Sequence, residues 1–248
     1  MLLVQQHVYN SHNMETNRDS TRRAFVEKGF KVALLAGLAN TALLAACNKD
    51  DEQKKVSPPE DLMQEHGLLN RVLLIYDNCL CRLAGGESFS LLPVNAAASV
   101  IRAFVEDYHE KQEENYLFPR FKKAGQLTDL VNVLLQQHQA GRRITDHVLQ
   151  LTAQPNPSAA DKDRLVGLLT RFNTMYRPHE AREDTVLFPA FRNIVSRHEY
   201  DALGEEFEKN EQRTFGKGGF EIMVERVAGI ERQMGIYELD RFTPAMPL

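Results

Sequence analysis

The sequence predicts an all-α protein built on a bundle of four helices, with a helical extension at its C-terminal end. Three observations predict it. Long stretches lack Pro and Gly, β-branched runs are scarce and Trp is absent, a composition that favours helices over strands. A pattern H-E-x-x-E-[ED]-x-x-L-F-P-x-F runs from His109 to Phe121 and again from His179 to Phe191. Each copy is preceded by a further His, in Glu65-His66 and in Gln137-His138, with Arg71 and Arg143 five residues beyond. The chain therefore reads as a pair of helices duplicated.

At 248 residues there is room for one sizeable domain with appendages. The net charge of −4 is mild and basic residues are interspersed with acidic ones, so nothing marks a nucleic-acid surface. Three cysteines exclude a dense disulfide framework.

Residues 1–46 read as an export segment. Ser20-Thr21-Arg22-Arg23-Ala24-Phe25-Val26 resembles the twin-arginine export motif, and an apolar run from Val32 to Ala46 follows. That run is short of the roughly 20 residues a membrane span needs but suits the apolar part of a signal. Leu44-Ala45-Ala46-Cys47 resembles the lipobox of bacterial lipoproteins, which implies cleavage before Cys47 and a lipid on its sulfur. Residues 47–59 are polar, end in Pro58-Pro59 and read as a tether. The bundle is expected over 60–197 and the helical extension over 198–248.

The first helix is expected over 60–83. Glu60 and Asp61 suit its start, Leu68, Leu69, Val72, Leu73 and Leu80 give it an apolar side, and Gly85-Gly86 ends it. The second spans 93–123, with Pro93 in the first turn and Gly125 as its stop. The third spans 127–153 and leads into the turn Gln154-Pro155-Asn156-Pro157. The fourth spans 159–196 behind Ser158 as N-cap. Pro119 and Pro189 each lie six residues past a motif Glu, where a proline should kink the helix. Gly216-Lys217-Gly218-Gly219 should split the extension.

Residues four apart on a helix differ by about 40° and sit one turn above each other. His109 and Glu113 therefore point the same way, as do His179 and Glu183. Imidazole nitrogen and carboxylate oxygen are ligands for iron, zinc or manganese, and four helices each turning a His inward make a cage in a bundle core. A carboxylate from each half can bridge two metals. The expected ligands are His66, His109, Glu113, His138, His179 and Glu183.

The helical wheel sorts the neighbours. Glu110 and Glu180 lie about 100° round from their His partners and should back the ligands or face solvent; Glu114, about 140° round, should be a surface charge, with Asp184 in the same place in the second copy. His147 should face out, and His198 lies too far along to reach the centre. Cys79 and Cys81 stand about 20 Å along the helix from His66, as thiols without a part in the site. Tyr116, on the stripe of His109, is a candidate to back the ligands or to fill the core. Arg142, at +4 from His138, falls on the seam and needs acidic partners there.

With these residues the chain resembles the hemerythrin-like, or HHE cation-binding, family, over about residues 60–197. The resemblance implies an up-down four-helix bundle around two non-haem iron ions, with the four histidines as ligands and Glu113 and Glu183 as bridging carboxylates. It departs from the oxygen carriers of the family, which place a fifth His where this chain has Arg142. The four-His, two-Glu set is closer to the bacterial proteins that repair iron centres, although their cysteine-bearing N-terminal domain is missing. Fewer ligands leave coordination positions free, which suits binding or sensing of O2, NO or peroxide. Reduction of peroxide or NO by a di-iron enzyme, and iron handling or iron-centre repair, are the alternatives. The expected setting is the bacterial cell envelope, with an N-terminal lipid anchor in the membrane; twin-arginine export, known for moving folded, cofactor-loaded proteins, accords with this.

Overall fold

The computed structural model describes residues 56–245. The twin arginines, the apolar run, Cys47 and most of the tether lie outside the described residues. Among the described residues there is no strand, and no helix is long and apolar enough to cross a membrane.

Four helical rods make the bundle. Helix α1 is Pro58–Ala84. Its start is set two residues before the acidic pair: Ser57 is the N-cap, in a capping box with Glu60, and Pro58 opens the first turn. The rod α2 runs from Leu92 to Ala124 without a break, but its winding changes along the way. An α segment Leu92–Val100 passes into a π segment Ile101–His109, and a second π segment, Glu113–Leu117, leads into α-helical Phe118–Ala124. Gly125, at φ 65°, takes the left-handed conformation that closes the end. Helix α3 is Thr128–Thr152. The rod α4 opens at Ser158, capped with Asp161, and runs through Ala159–Arg182, a π segment Glu183–Leu187 and a last turn Phe188–Phe191.

The duplication thus extends to the backbone. Both motif glutamates start a π segment, and both prolines stand just after it. In each copy the Phe N–H before the proline bonds five residues back, to the carbonyl of Glu113 or of Glu183. The expected proline kink takes this form: one extra residue is wound into each rod beside the site, a device found often at functional sites. The fourth rod ends at Phe191, short of 196, in a turn before Ser196 caps the next helix.

The extension is helical, as the sequence predicts: α5 is Arg197–Phe215 and α6 is Gly219–Met234, with a short 3-10 turn Leu239–Phe242 after them. Helix α6 lies on α1 and α2, where Arg71 of α1 holds Glu231 through two contacts of 2.9 and 2.5 Å.

Two apolar clusters fill the bundle. The larger includes Val72, Tyr76, Phe104, Leu169 and Phe172 and extends onto α6. The smaller includes Leu62, Phe118, Phe121, Phe188 and Phe191 and reaches α5 through Leu203 and Phe207. Each fully buried Leu or Phe stabilises the fold by about 1.5–3 kcal/mol. All six expected ligands lie between these clusters along the rods, so apolar packing excludes water from both ends of the polar layer.

Candidate metal centre

The six expected ligands come together in two groups. His66, His109 and Glu113 form one, and His138, His179 and Glu183 the other; within each, one ligand atom from every residue lies within 4.8 Å of the rest. All six side chains are buried. Glu113 spans the groups, with Oε1 3.7 Å from His109 Nε2 and Oε2 3.4 Å from His138 Nε2. Glu183 Oε2 does the same, 3.1 Å from His179 Nε2 and 3.4 Å from His66 Nε2.

What orients the four rings is a belt of outer contacts. Each imidazole Nδ1 meets an acceptor on another rod. His109 Nδ1 is 2.7 Å from Glu65, His138 Nδ1 3.1 Å from Glu114, His179 Nδ1 2.8 Å from Gln137 Oε1, and His66 Nδ1 2.8 Å from Asp184. An ionised carboxylate or an amide oxygen only accepts, so each Nδ1 carries a hydrogen and each Nε2 is turned inward, where a metal could take its lone pair. The belt corrects the expectation for Glu114 and Asp184, which are not mere surface charges. Lying off the ligand stripe does not make them solvent groups, because their side chains reach across to rings on neighbouring rods, Glu114 to His138 and Asp184 to His66. Glu65 and Gln137 stand in the sequence beside the His pairs, but their spacing gives no sign that each grips the ring of a different helix.

The Phe of L-F-P closes the site from below. Phe118 stacks on His138 at 5.5 Å between centroids and 25°, and Phe188 on His66 at 5.4 Å and 20°. The final Phe of each motif meets its counterpart, Phe121 against Phe191.

Arg142 finds the acidic partners that a seam position demands. Its Nη2 donates to Glu110 Oε2 at 2.6 Å and Glu114 Oε1 at 2.8 Å. Glu110 is buried and its other oxygen accepts from the Tyr176 hydroxyl at 2.7 Å. Glu180, its counterpart, accepts instead from Asn70, which occupies in the first half the place that Arg142 holds in the second. Gly141 makes the Tyr176 contact possible, since a Cβ there would lie only 2.9 Å from Cζ and 3.0 Å from Cε2 of that ring. Tyr116 is turned away from the centre. The added winding takes it off the stripe of His109, so its ring meets Phe207 edge-on and its hydroxyl accepts from Asn210. His147 and His198 are exposed, Cys79 is buried and Cys81 exposed.

The electrostatics follow the packing. Burial pushes Glu110 up to about 8, against Arg142 and Tyr176, and pushes Glu180 likewise to about 8. Burial opposes ionisation of Glu114 too, but hydrogen bonds with His138, Lys111 and Arg142 overcome it and hold that carboxyl at about 2. Burial lowers His138 to about 4. Burial together with the neighbouring Glu183 raises Glu113 well above the usual carboxylate range.

Two features test whether a metal fits. Among the described residues, all four carboxylate oxygens of Glu113 and Glu183 are buried without a hydrogen-bond partner. A buried carboxylate left so costs several kcal/mol, of order 1–3 kcal/mol or more per unmet group. His138 Nε2 and His179 Nε2 face each other at 3.2 Å, lone pair to lone pair, because both rings hold their hydrogen outward. A cation between them removes the repulsion and gives the carboxylates their partner, so the donor set fits a metal.

Comparison with known proteins agrees. Residues 57–191 match the family model for the hemerythrin HHE cation binding domain. An uncharacterized protein of Mycobacterium bovis and uncharacterized proteins of two strains of Mycobacterium tuberculosis are each 45% identical over 198 residues, 79% of this chain and 77% of theirs. No solved structure matches the chain.

Proposed function

The chain belongs to the hemerythrin HHE cation-binding domain family, and from that premise we propose that it holds two non-haem iron ions and binds or senses O2, NO or peroxide at them. The observation that carries this reading is the pair of facing Nε2 atoms, His138 and His179 at 3.2 Å, beside two buried carboxylates that span both ligand groups. His66 and His109 would hold one ion, His138 and His179 the other, and Glu113 and Glu183 would bridge them. Iron so held supplies redox-active positions for a small ligand. The protein supplies the rest. The belt fixes each ring so that Nε2 points inward, Phe118 and Phe188 keep water from the lower face, and Arg142 ties Glu110 and Glu114 into one network behind His138.

The test is metal analysis with an optical spectrum, before and after addition of O2, NO and peroxide. Two irons per chain are expected. His109→Ala or His179→Ala should lose at least half of the metal, whereas His147→Ala should keep it. Equal loss from all three variants would overturn the ligand assignment. Turnover with an electron donor would move the reading to a di-iron reductase of peroxide or NO, and iron that a mild chelator removes at once would move it to iron handling.

A further inference from the structure

We propose that the two metal positions are inequivalent, and that Gln137 makes the one held by His138 and His179 the weaker and more electron-poor of the two. The proposal rests on the two-metal reading above. Glu65 and Gln137 occupy the same place in the duplication, directly before the first His of each half, and they do the same task. Each accepts the Nδ1 hydrogen of the motif His on the next rod, at 2.7 Å for Glu65 with His109 and 2.8 Å for Gln137 with His179. They differ in charge, and Glu65 is buried where Gln137 is half-buried. A carboxylate behind an imidazole draws the Nδ1 proton towards itself and makes Nε2 a stronger donor, an effect on the partner that reaches the metal. An amide oxygen is neutral, and its hydrogen bond is roughly half as strong.

Two further contrasts, both involving Arg142, point the same way. The acceptor behind His138, Glu114, also takes hydrogen bonds from Arg142 at 2.8 Å and Lys111 at 2.5 Å, so its charge is shared with two cations. The acceptor behind His66 is the carboxylate of Asp184. At the position four residues after the first His of each half, the first half has the neutral Asn70 and the second has the guanidinium of Arg142. Thus His66 and His109 are both backed by carboxylates, while His179 is backed by an amide and His138 by a carboxylate already engaged with two cations. The ion at the second position is held by poorer donors under a more positive surround.

The experiment titrates the metal-free full chain with Fe(II) under anaerobic conditions, and with Co(II), whose visible bands report each position separately. The parent should fill in two steps. Gln137→Glu, nearly isosteric, should tighten the weaker step by about tenfold or more, bring the two steps together and shift the Co(II) bands of that position. Glu65→Gln should loosen the tighter step by a similar factor and shift the other bands. Because the two substitutions act on opposite positions, a general loss of folding in either cannot imitate the pair of results. Two ions taken up in a single step, unchanged by both substitutions, overturn this proposal and leave the two-metal reading standing. A parent chain that takes up neither ion overturns both.

Discussion

Among single residues, Gly141 shows how tightly the surroundings of the centre are specified. A glycine inside a helix costs about 1 kcal/mol relative to alanine, yet here a side chain would collide with the Tyr176 ring. Gly141→Ala should destabilise the protein by about 1–3 kcal/mol through overpacking, read as a lower denaturant midpoint at unchanged slope; a midpoint at or above the parent's would show that the ring yields freely. Nothing in the sequence marks this contact, because it joins α3 to α4. The inward residues were legible, since a His and a Glu four apart must share a face whatever surrounds them. The residues behind them were not. Glu65, Gln137, Glu114 and Asp184 each act on a ring that belongs to another rod, and a wheel drawn for one helix says nothing about its neighbour.

Helical elements were legible to within a few residues where a cap or a glycine marks them, as at Ser158 and Gly125. The π segments were not, for a composition that favours helix is silent on whether a bond closes over four residues or five. Pro119 and Pro189 gave the place of the irregularity but not its form. The extra residue has a definite effect: the wide turn absorbs it, so the Phe pair below keeps its rotation relative to the ligands above. Asn115 is exposed within Glu113–Leu117. Deleting it should close the wide turn to a regular α turn and leave Phe118 and Phe121 facing the lower cluster, because four residues at about 100° each cover nearly the rotation that five cover in the bulge. A melting temperature close to the parent's, with the metal retained, is the expected result, measured by circular dichroism and metal analysis. A large drop in melting temperature would mean that the Phe pair has lost its register.

For the whole molecule, the sequence beyond the described residues bears on where the protein works. The twin arginines Arg22 and Arg23, the apolar run and Cys47 support a proposed lipid-anchored protein of the bacterial envelope. Mass spectrometry of the native protein should find a lipidated chain beginning at Cys47; a soluble product that retains the residues before Cys47 would rule this out. The belt around the histidines adds a constraint of time. Its links run from α2 back to α1, from α3 back to α2 and from α4 back to α3, and the circle closes where His66 of the first rod meets Asp184 of the last, 118 residues away. A nascent chain emerging from the ribosome can make the first links early, but the closing one must wait for the final rod to dock. The full cage is therefore complete only after the bundle is, whereas the ligand group of His66, His109 and Glu113 stands on the first two rods alone.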